Sequence, residues 1–342
     1  MIAVVRIPLV LLALSGLFCS NSLHADDAAL RDLVAKRGGR VIELPHGDDR
    51  PTFRLALGGS RVTDEDLLQL VAMAGVVSLD LSSSRITNAG LKHLGKLGSL
   101  ESLDIGRTRV SDAGLASLSG LSRLSSLSVG FTRVRGRGLK GFVRLRMLAL
   151  DGPQVTDSTL EHVGRLTSLR VLNLDRSRVS DRGLALLKPL VGLETLRLCG
   201  TGIGDTGLVA LVGLKGLREL ELAGTGVTDA GMDSLSAMTS LEKLGLDNTR
   251  VGDAGMSRLE GLSRLQRLGL AATRVGDRGT SSLSKLSRLQ VLSLSTTSIT
   301  DAGLVRLRGC RRLKRLVLTF TATTARGAGD LQSEVPGLAV ER

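Results

Sequence analysis

The chain has no Trp, no Tyr and only five Phe in 342 residues, so aromatics make up 1% of it. Aromatic rings are normally the largest apolar pieces of a globular core. Their near absence argues against an ordinary enzyme domain and for something thin and regular, built from one size of side chain. It also excludes aromatic stacking platforms for single-stranded nucleic acid. Cysteine is sparse as well, with Cys19, Cys199 and Cys310. Such a set is no disulfide framework, and free thiols are expected. The four histidines, His24, His46, His93 and His162, form no cluster with metal-ligand spacing. Glycine strings such as Gly200-Thr-Gly-Ile-Gly204 lack the Lys-Ser/Thr ending of a nucleotide loop and read as turns. No catalytic residue, cofactor or metal site is expected, and the chain reads as a non-enzyme.

Long apolar runs are missing too, apart from Ile7 to Phe18 near the N-terminus. That run follows Arg6 and leads through small and polar residues to Ala25, the pattern of a secretory signal and too short for a typical span. Phe18 before Cys19 speaks against a lipoprotein signal. An exported mature chain is expected, periplasmic, in the cell envelope or extracellular, without a membrane span and monomeric.

What the chain has in abundance is Leu, Val, Ala and 42 Gly, together with a formal charge of +13 from 46 Lys+Arg against 33 Asp+Glu. A positive field of this kind attracts anionic polymers. Internal periodicity organises the rest. The last apolar residue of each Leu-x-Leu pair marks a unit: Leu57, Leu81, Ile105, Val129, Leu150, Leu174, Leu198, Leu222, Leu246, Leu270, Leu294 and Leu318. Ten of the eleven intervals are 24 residues and one, Val129 to Leu150, is 21. Within a unit, Leu103-Asp104-Ile105 alternates as a strand does, whereas Leu115, Leu118 and Leu121 recur as one stripe of a short helix. The intervening Thr-Arg-Val-Ser-Asp-Ala-Gly places a Ser or Thr and an Asp at a helix start, where they accept from free N–H groups and suit the helix dipole. One unit cannot bury its leucines alone, so units stack into a solenoid.

The recurring text, as in Leu217 to Met232 (LRELELAGTGVTDAGM), resembles leucine-rich repeats. It is most similar to those of exported bacterial proteins and to the repeat halves of F-box substrate receptors. The latter usually carry Cys where this chain has Thr201, Thr225, Thr249 and Thr273, which favours the bacterial type. A ubiquitin-ligase receptor would also need an F-box that the residues before the first repeat do not supply. The resemblance implies an α/β solenoid, an arc with a parallel sheet on its concave face and short helices on its convex face. The expected layout is a signal peptide over 1–25, an N-terminal cap over 26–52 (helix from Ala28 to Lys36, edge strand at Val41-Ile42), an array of about twelve repeats over 53–322, and a C-terminal cap over 323–342 in which Pro336 breaks the pattern.

The fold implies binding of a protein or peptide and leaves its identity open. Two surfaces are candidates. By strand parity Asn173, Asp175, Arg197, Glu219, Glu221, Lys243 and Asp247 face outward from the middle of the sheet, with Arg197 opposite Glu221 as a cross-strand ion pair. The alternative partner is an anionic polymer. An Arg column, Arg61, Arg85, Arg109, Arg133, Arg178, Arg250 and Arg274, forms a ridge along one rim, unless it pairs with Asp64, Asp112, Asp181, Asp253 and Asp277 three residues further on. In the shortened unit, where Gly136 replaces the helix-start Asp, the residues Arg107, Arg109, Arg133, Arg135, Arg137 and Lys140 make a basic patch. The shortening is expected to tilt the neighbouring units and splay these side chains.

Overall fold

The computed structural model describes residues 21–44, 52–73 and 75–342; the apolar run at Ile7 to Phe18 lies outside them. One sheet of fourteen strands runs in strict sequence order. Strand β1 (Arg40–Leu44) pairs antiparallel with β2 (Thr52–Ala56). From β2 onward every pairing is parallel, through β3 (Val76–Asp80), β4 (Ser102–Asp104), β5 (Ser126–Ser128) and β6 (Met147–Ala149), then β7 (Val171–Asn173), β8 (Thr195–Arg197), β9 (Glu219–Glu221), β10 (Lys243–Gly245), β11 (Arg267–Gly269), β12 (Val291–Ser293), β13 (Arg315–Val317) and β14 (Ala339–Glu341). The result is an open solenoid with helical segments filling the opposite side of each unit.

The three-residue leucine spacing has a physical counterpart. The helical segments are short, such as Asn88–Leu94 and Asp112–Ala116, and several contain 3₁₀ turns, as at Ala185–Leu187 and Ser257–Gly261. A 3₁₀ turn has three residues per turn, so Leu115, Leu118 and Leu121 all reach the core. The core is one continuous spine of Leu, Val and Ile from Leu30 to Leu338. Parallel strands stack about 4.8 Å apart and packed helices need about 8–10 Å, which makes the strand side concave.

Both ends are closed. A helix over Asn21–Lys36, longer than the expected Ala28 to Lys36, inserts Leu30 and Val34 into the first unit. At the other end a ten-residue helix, Ala325–Glu334, covers the last unit. Pro336 does not end the ladder: β14 continues it in register, Leu316 opposite Val340.

The shortened unit is absorbed without a break in the sheet. Ser126, Leu127 and Ser128 pair with Met147, Leu148 and Ala149 as in any other unit. The three missing residues come out of the convex side, where a single 3₁₀ turn, Arg137–Leu139, replaces the α-helix. Gly136 at φ 105° and Gly141 at φ 101° make the tighter path, a region that favours glycine. The expected tilt therefore has no counterpart in the strand register.

Two ladders bolt the units together. The helix-start Asp does not pair with the Arg column; it reaches into the next repeat. Asp157 accepts from the Ser180 N–H at 2.8 Å and its hydroxyl at 2.6 Å, and Asp205 holds Thr228 through the same two groups at 2.8 and 2.7 Å. Each such carboxylate occupies the space beside the α-carbon of a glycine in that next unit. Asp64, Asp157, Asp181, Asp205, Asp229, Asp253, Asp277 and Asp301 lie in this way against Gly90, Gly183, Gly207, Gly231, Gly255, Gly279, Gly303 and Gly327; the Asn88 amide does the same at Gly114, and at Gly138 it is the backbone of Asp112 that lies closest. So Gly90, Gly114 and Gly231 make room for a neighbour's side chain. Two positions of this glycine column differ: Thr159, whose lower neighbour is Gly136, and Asp66, in the first unit. The pairing is reciprocal, since the glycine is dispensed with where no helix-start Asp or Asn of a preceding repeat arrives. Asp66 is instead held by Arg37 of the cap at 2.7 Å.

The second ladder follows the strands. In every unit the residue two past the marker has positive φ: Gly59, Ser83, Arg107, Phe131, Gly152, Arg176, Gly200, Gly224, Asn248, Ala272, Thr296 and Phe320. This left-handed turn aims its N–H at a carbonyl of the next unit, as from Ala272 to Ser295 at 2.8 Å. The Thr column closes the same turn from within. Thr108, Thr201, Thr249 and Thr297 are buried and donate their hydroxyls to the carbonyls of Ile105, Leu198, Leu246 and Leu294 at 2.6 Å.

Candidate functional site

The concave sheet face displays the residues at alternate positions of the three-residue strands and the first residue beyond each marker. All seven outward residues read from parity fall there, on consecutive strands β7 to β10 and the turns that follow them, and the structure brings them together. Their pairing differs from the expected one. Arg197 binds Asp175 at 2.8 Å rather than Glu221, its register partner in the next strand. Asp175 also accepts the Cys199 N–H at 2.8 Å, so one carboxylate serves both neighbours on the adjoining unit. Lys243 pairs with Glu219 at 2.8 Å. Asn173 turns back to accept the N–H of Asp175 at 2.8 Å, and Asp247 accepts that of Ala271 at 2.7 Å. Glu221 is left without an ion pair of its own among the described residues.

Glycines shape the floor of this region. Gly245 and Gly269 follow one another in β10 and β11, and a Cβ at either would overlap the carboxylates of Glu221 and Asp247. The resulting depression, about 220 Å³, is lined by Glu219, Glu221, Lys243, Asp247, Arg267 and Ser293 among others. Burial against the glycine floor pushes the carboxyls of Glu221 and Asp247 above their ordinary range; for Glu221 the opposing pull of Arg197 is outweighed by burial with Glu219, Asp247 and Asp175. Asp104 and Asp151, nearer the N-terminal end, are raised by burial in the same way. Asp151 belongs with this set but is missed by the parity reading. It stands one past its marker, as Asp175 and Asp247 do, and that shared column is the signal that finds it. Burial and the adjacent Asp175 push the Cys199 thiol up to about 11, so it stays protonated. Both Cys199 and Cys310 are free, as expected.

The basic patch lies beyond one edge of the sheet. Arg107, Arg109, Arg133, Arg135, Arg137 and Lys140 are all exposed. Arg107 is fixed over the Phe131 ring, 4.8 Å from its centroid. The carboxylate expected to neutralise the patch, Asp112, instead accepts the backbone N–H groups of Arg135, Gly136 and Gly138 at 3.0, 3.0 and 2.9 Å. Among the described residues none of the seven Arg-column members makes an ion pair.

A family model described as a leucine-rich repeat region matches residues 135–328, more than half of the chain, and a second, a leucine-rich repeat, matches residues 99–119. The chain belongs to the leucine-rich repeat family. No curated protein matches it. Among solved structures, an internalin from Listeria monocytogenes is similar at 20% identity and TM-score 0.64, over 93% of this chain and 94% of that one. A chain of the mouse RP105/MD-1 complex is similar at 18% identity and TM-score 0.59, over 78% of this chain and 46% of that one. At these identities the likeness is one of fold. Among the described residues no helix is long and apolar enough to cross a membrane.

Proposed function

We propose that this leucine-rich repeat chain is a non-catalytic scaffold that binds a protein or peptide segment across the middle of its concave sheet. The observation that carries this reading is the glycine-floored depression at β9 to β11. There half-buried carboxylates and the cations Lys243 and Arg267, from three successive units, face the same space, and desolvation has already raised Glu221 and Asp247. A partner placing a cationic or hydrogen-bonding group there would relieve that cost. No aromatic side chain lines this depression; without such anchors, which dominate many interfaces, recognition is by charge pattern and backbone. Export is part of the same proposal, on the strength of Arg6, the run Ile7 to Phe18 and Ala25.

The test is affinity capture from the envelope fraction of the native cell, followed by binding of the identified, purified partner to three proteins: the native chain, Glu221→Lys/Asp247→Lys, and the convex-face variant Val209→Lys. Loss of binding in the first variant alone is the expected result. Equal binding by all three removes the concave face from the interface. N-terminal sequencing of the recovered chain checks export, which predicts a start near residue 26 and is refuted by an intact Met1.

A second reading, binding of an anionic polymer, is favoured by one observation: among the described residues the Arg column has no carboxylate partner, because the helix-start aspartates are committed to backbone N–H groups of the next repeat.

A further inference from the structure

The Arg column is more than a charge excess. Its backbone is part of a hydrogen-bonded ladder. The N–H of Arg85 donates to the Val62 carbonyl at 3.3 Å, that of Arg133 to Val110 at 2.8 Å, that of Arg178 to Val155 at 2.8 Å and that of Arg274 to Val251 at 2.8 Å. Arg133 also forms a parallel bridge with Ser111, and Arg178 with Thr156. Arg61 and Arg85, Arg109 and Arg133, and Arg250 and Arg274, whose units these bonds join, are therefore spaced like neighbouring parallel strands, about 4.8 Å apart. Arg61, Arg85, Arg109 and Arg133 stand in four consecutive units and are all exposed. The next unit places Gln154 in the column, which ends the run.

Around this run the helix-start positions offer no carboxylate that pairs with an Arg: two are held by neutral donors and two are replaced. Asp64 is committed to the Thr87 N–H and hydroxyl, at 2.8 and 2.5 Å. The next helix start carries the neutral Asn88, which holds Ser111 through two hydrogen bonds of 2.9 Å. Asp112 is consumed by three backbone donors of the shortened unit, and the helix start after it is Gly136. On the far side of the run the shortened unit adds exposed Arg135 and Arg137, while Arg107 is held in place over Phe131.

We infer that the row Arg85–Arg109–Arg133, flanked by Arg107, Arg135 and Arg137, binds a linear phosphate polymer laid along the stacking direction. This inference rests on the anionic-polymer reading and names its ligand class and path. Guanidinium forks match phosphate oxygens in shape as well as charge, and the ladder holds them at a fixed pitch. A chain of closely spaced phosphates can place one anionic oxygen against each fork, which a single phosphate ion cannot do. The row presents no uncovered aromatic face, Phe131 being capped by Arg107, so any bases on the polymer would go unread. Recognition is by charge and spacing alone.

The probe is inorganic polyphosphate, used with the full chain in titrations at several salt concentrations, beside tripolyphosphate, heparin and vesicles containing an anionic phospholipid. Two triple variants of equal net charge are compared: Arg85→Ser/Arg109→Ser/Arg133→Ser on the row, and Arg264→Ser/Arg288→Ser/Arg312→Ser on the loops that precede the strands. All six side chains are exposed and outside any ion pair found among the described residues, and far-UV circular dichroism confirms that both variants fold. Long polyphosphate is expected to bind at least tenfold more tightly than tripolyphosphate. The row variant is expected to lose at least tenfold in affinity and to flatten the dependence of log K on log salt by about 2, at roughly 0.7 per phosphate contact; the loop variant should change affinity less than threefold. Equal losses in both variants would overturn the row while leaving general anion binding intact. So would preference for heparin or vesicles over polyphosphate. Failure to bind any of the polyanions overturns the row and the anionic-polymer reading together.

Discussion

The Asp–Gly ladder makes a quantitative prediction about coupling between repeats. Asp253 accepts the Gly276 N–H at 2.6 Å and the Gly279 N–H at 2.9 Å, both from the next unit. A Cβ built on Gly279 would lie 2.6 Å from Asp253 Oδ1, 3.0 Å from Met256 Cγ and 3.2 Å from Val275 Cγ1. Asp253→Ala removes two hydrogen bonds to a charged acceptor and leaves two amides without their partner, which costs about 2–4 kcal/mol. Gly279→Ala overpacks the contact at a cost of about 1–3 kcal/mol, reduced by the better helix propensity of Ala, about 1 kcal/mol. In the double variant the hydrogen-bond loss of Asp253→Ala persists, but the new methyl group enters the space the carboxylate vacated, so the glycine substitution adds its propensity gain without its overpacking cost. The double variant is therefore expected to be more stable than the two single losses added together, by about 1–3 kcal/mol.

Urea unfolding followed by far-UV circular dichroism measures this, since a chain without Trp or Tyr offers no useful intrinsic fluorescence. Hydrogen exchange at the amides of Gly276 and Gly279 adds a local readout: both should lose protection in Asp253→Ala. Additivity of the two substitutions within about 0.5 kcal/mol, the behaviour of independent sites, would refute the claim that the carboxylate and the missing side chain are one device. The chain contains its own version of the double variant in Gly136 and Thr159, where acid and glycine are absent together.

Two further predictions concern the turn column and the concave face. Ala272 adopts φ 54°, so Ala272→Gly removes left-handed strain and is expected to stabilise by about 0.5–1 kcal/mol, with the reverse change, Gly224→Ala, destabilising by a similar amount; equal and negligible shifts in the urea midpoint would show that the turn is not strained. Burial raises the Asp247 carboxyl, so ionising it costs more in the folded chain than in the unfolded one. The group therefore favours folding most when protonated, below its unfolded range, and loses that contribution as pH rises through its folded pKa. Asp247→Asn, which keeps an acceptor for the Ala271 N–H, is expected to raise stability near neutral pH and to have no effect in acid. A gain that persists at low pH would assign the effect to packing instead of charge.

The spine was legible because its signal is repeated. Twelve markers correspond to twelve parallel strands, β2 to β13, and each buried leucine column in the sequence is a buried column in the fold. The turn column was not legible, and the reason is physical. Gly, Ser, Arg, Phe, Asn, Ala and Thr all occupy a position defined by backbone conformation alone. Only the ladder of N–H bonds to the next unit requires that conformation, and no side-chain chemistry reports it. Stacking overrides local preference there, as it does for Phe131 and Thr296, residues that would not choose positive φ unaided.

The aspartates show the converse case, a residue type read correctly and a partner read wrongly. Ser or Thr before an Asp, opening a helix, fits an isolated helix start, and Thr87, Thr228 and Thr300 do accept from N–H groups of their own helices at 3.2 Å. The Asp that follows faces a different demand. In a solenoid the free donors at a helix start lie beside the unit below, whose carboxylate reaches them from about one repeat away in sequence. Within one unit this is invisible; across two it predicts that the glycine is needed wherever a helix-start Asp or Asn reaches up from below, and both are absent together at Gly136 and Thr159. The same commitment of acids to the stack determines the surface. Each carboxylate turned toward backbone donors leaves a nearby Arg without a counter-ion, so the internal bolting of the repeats is what exposes positive charge along their rim.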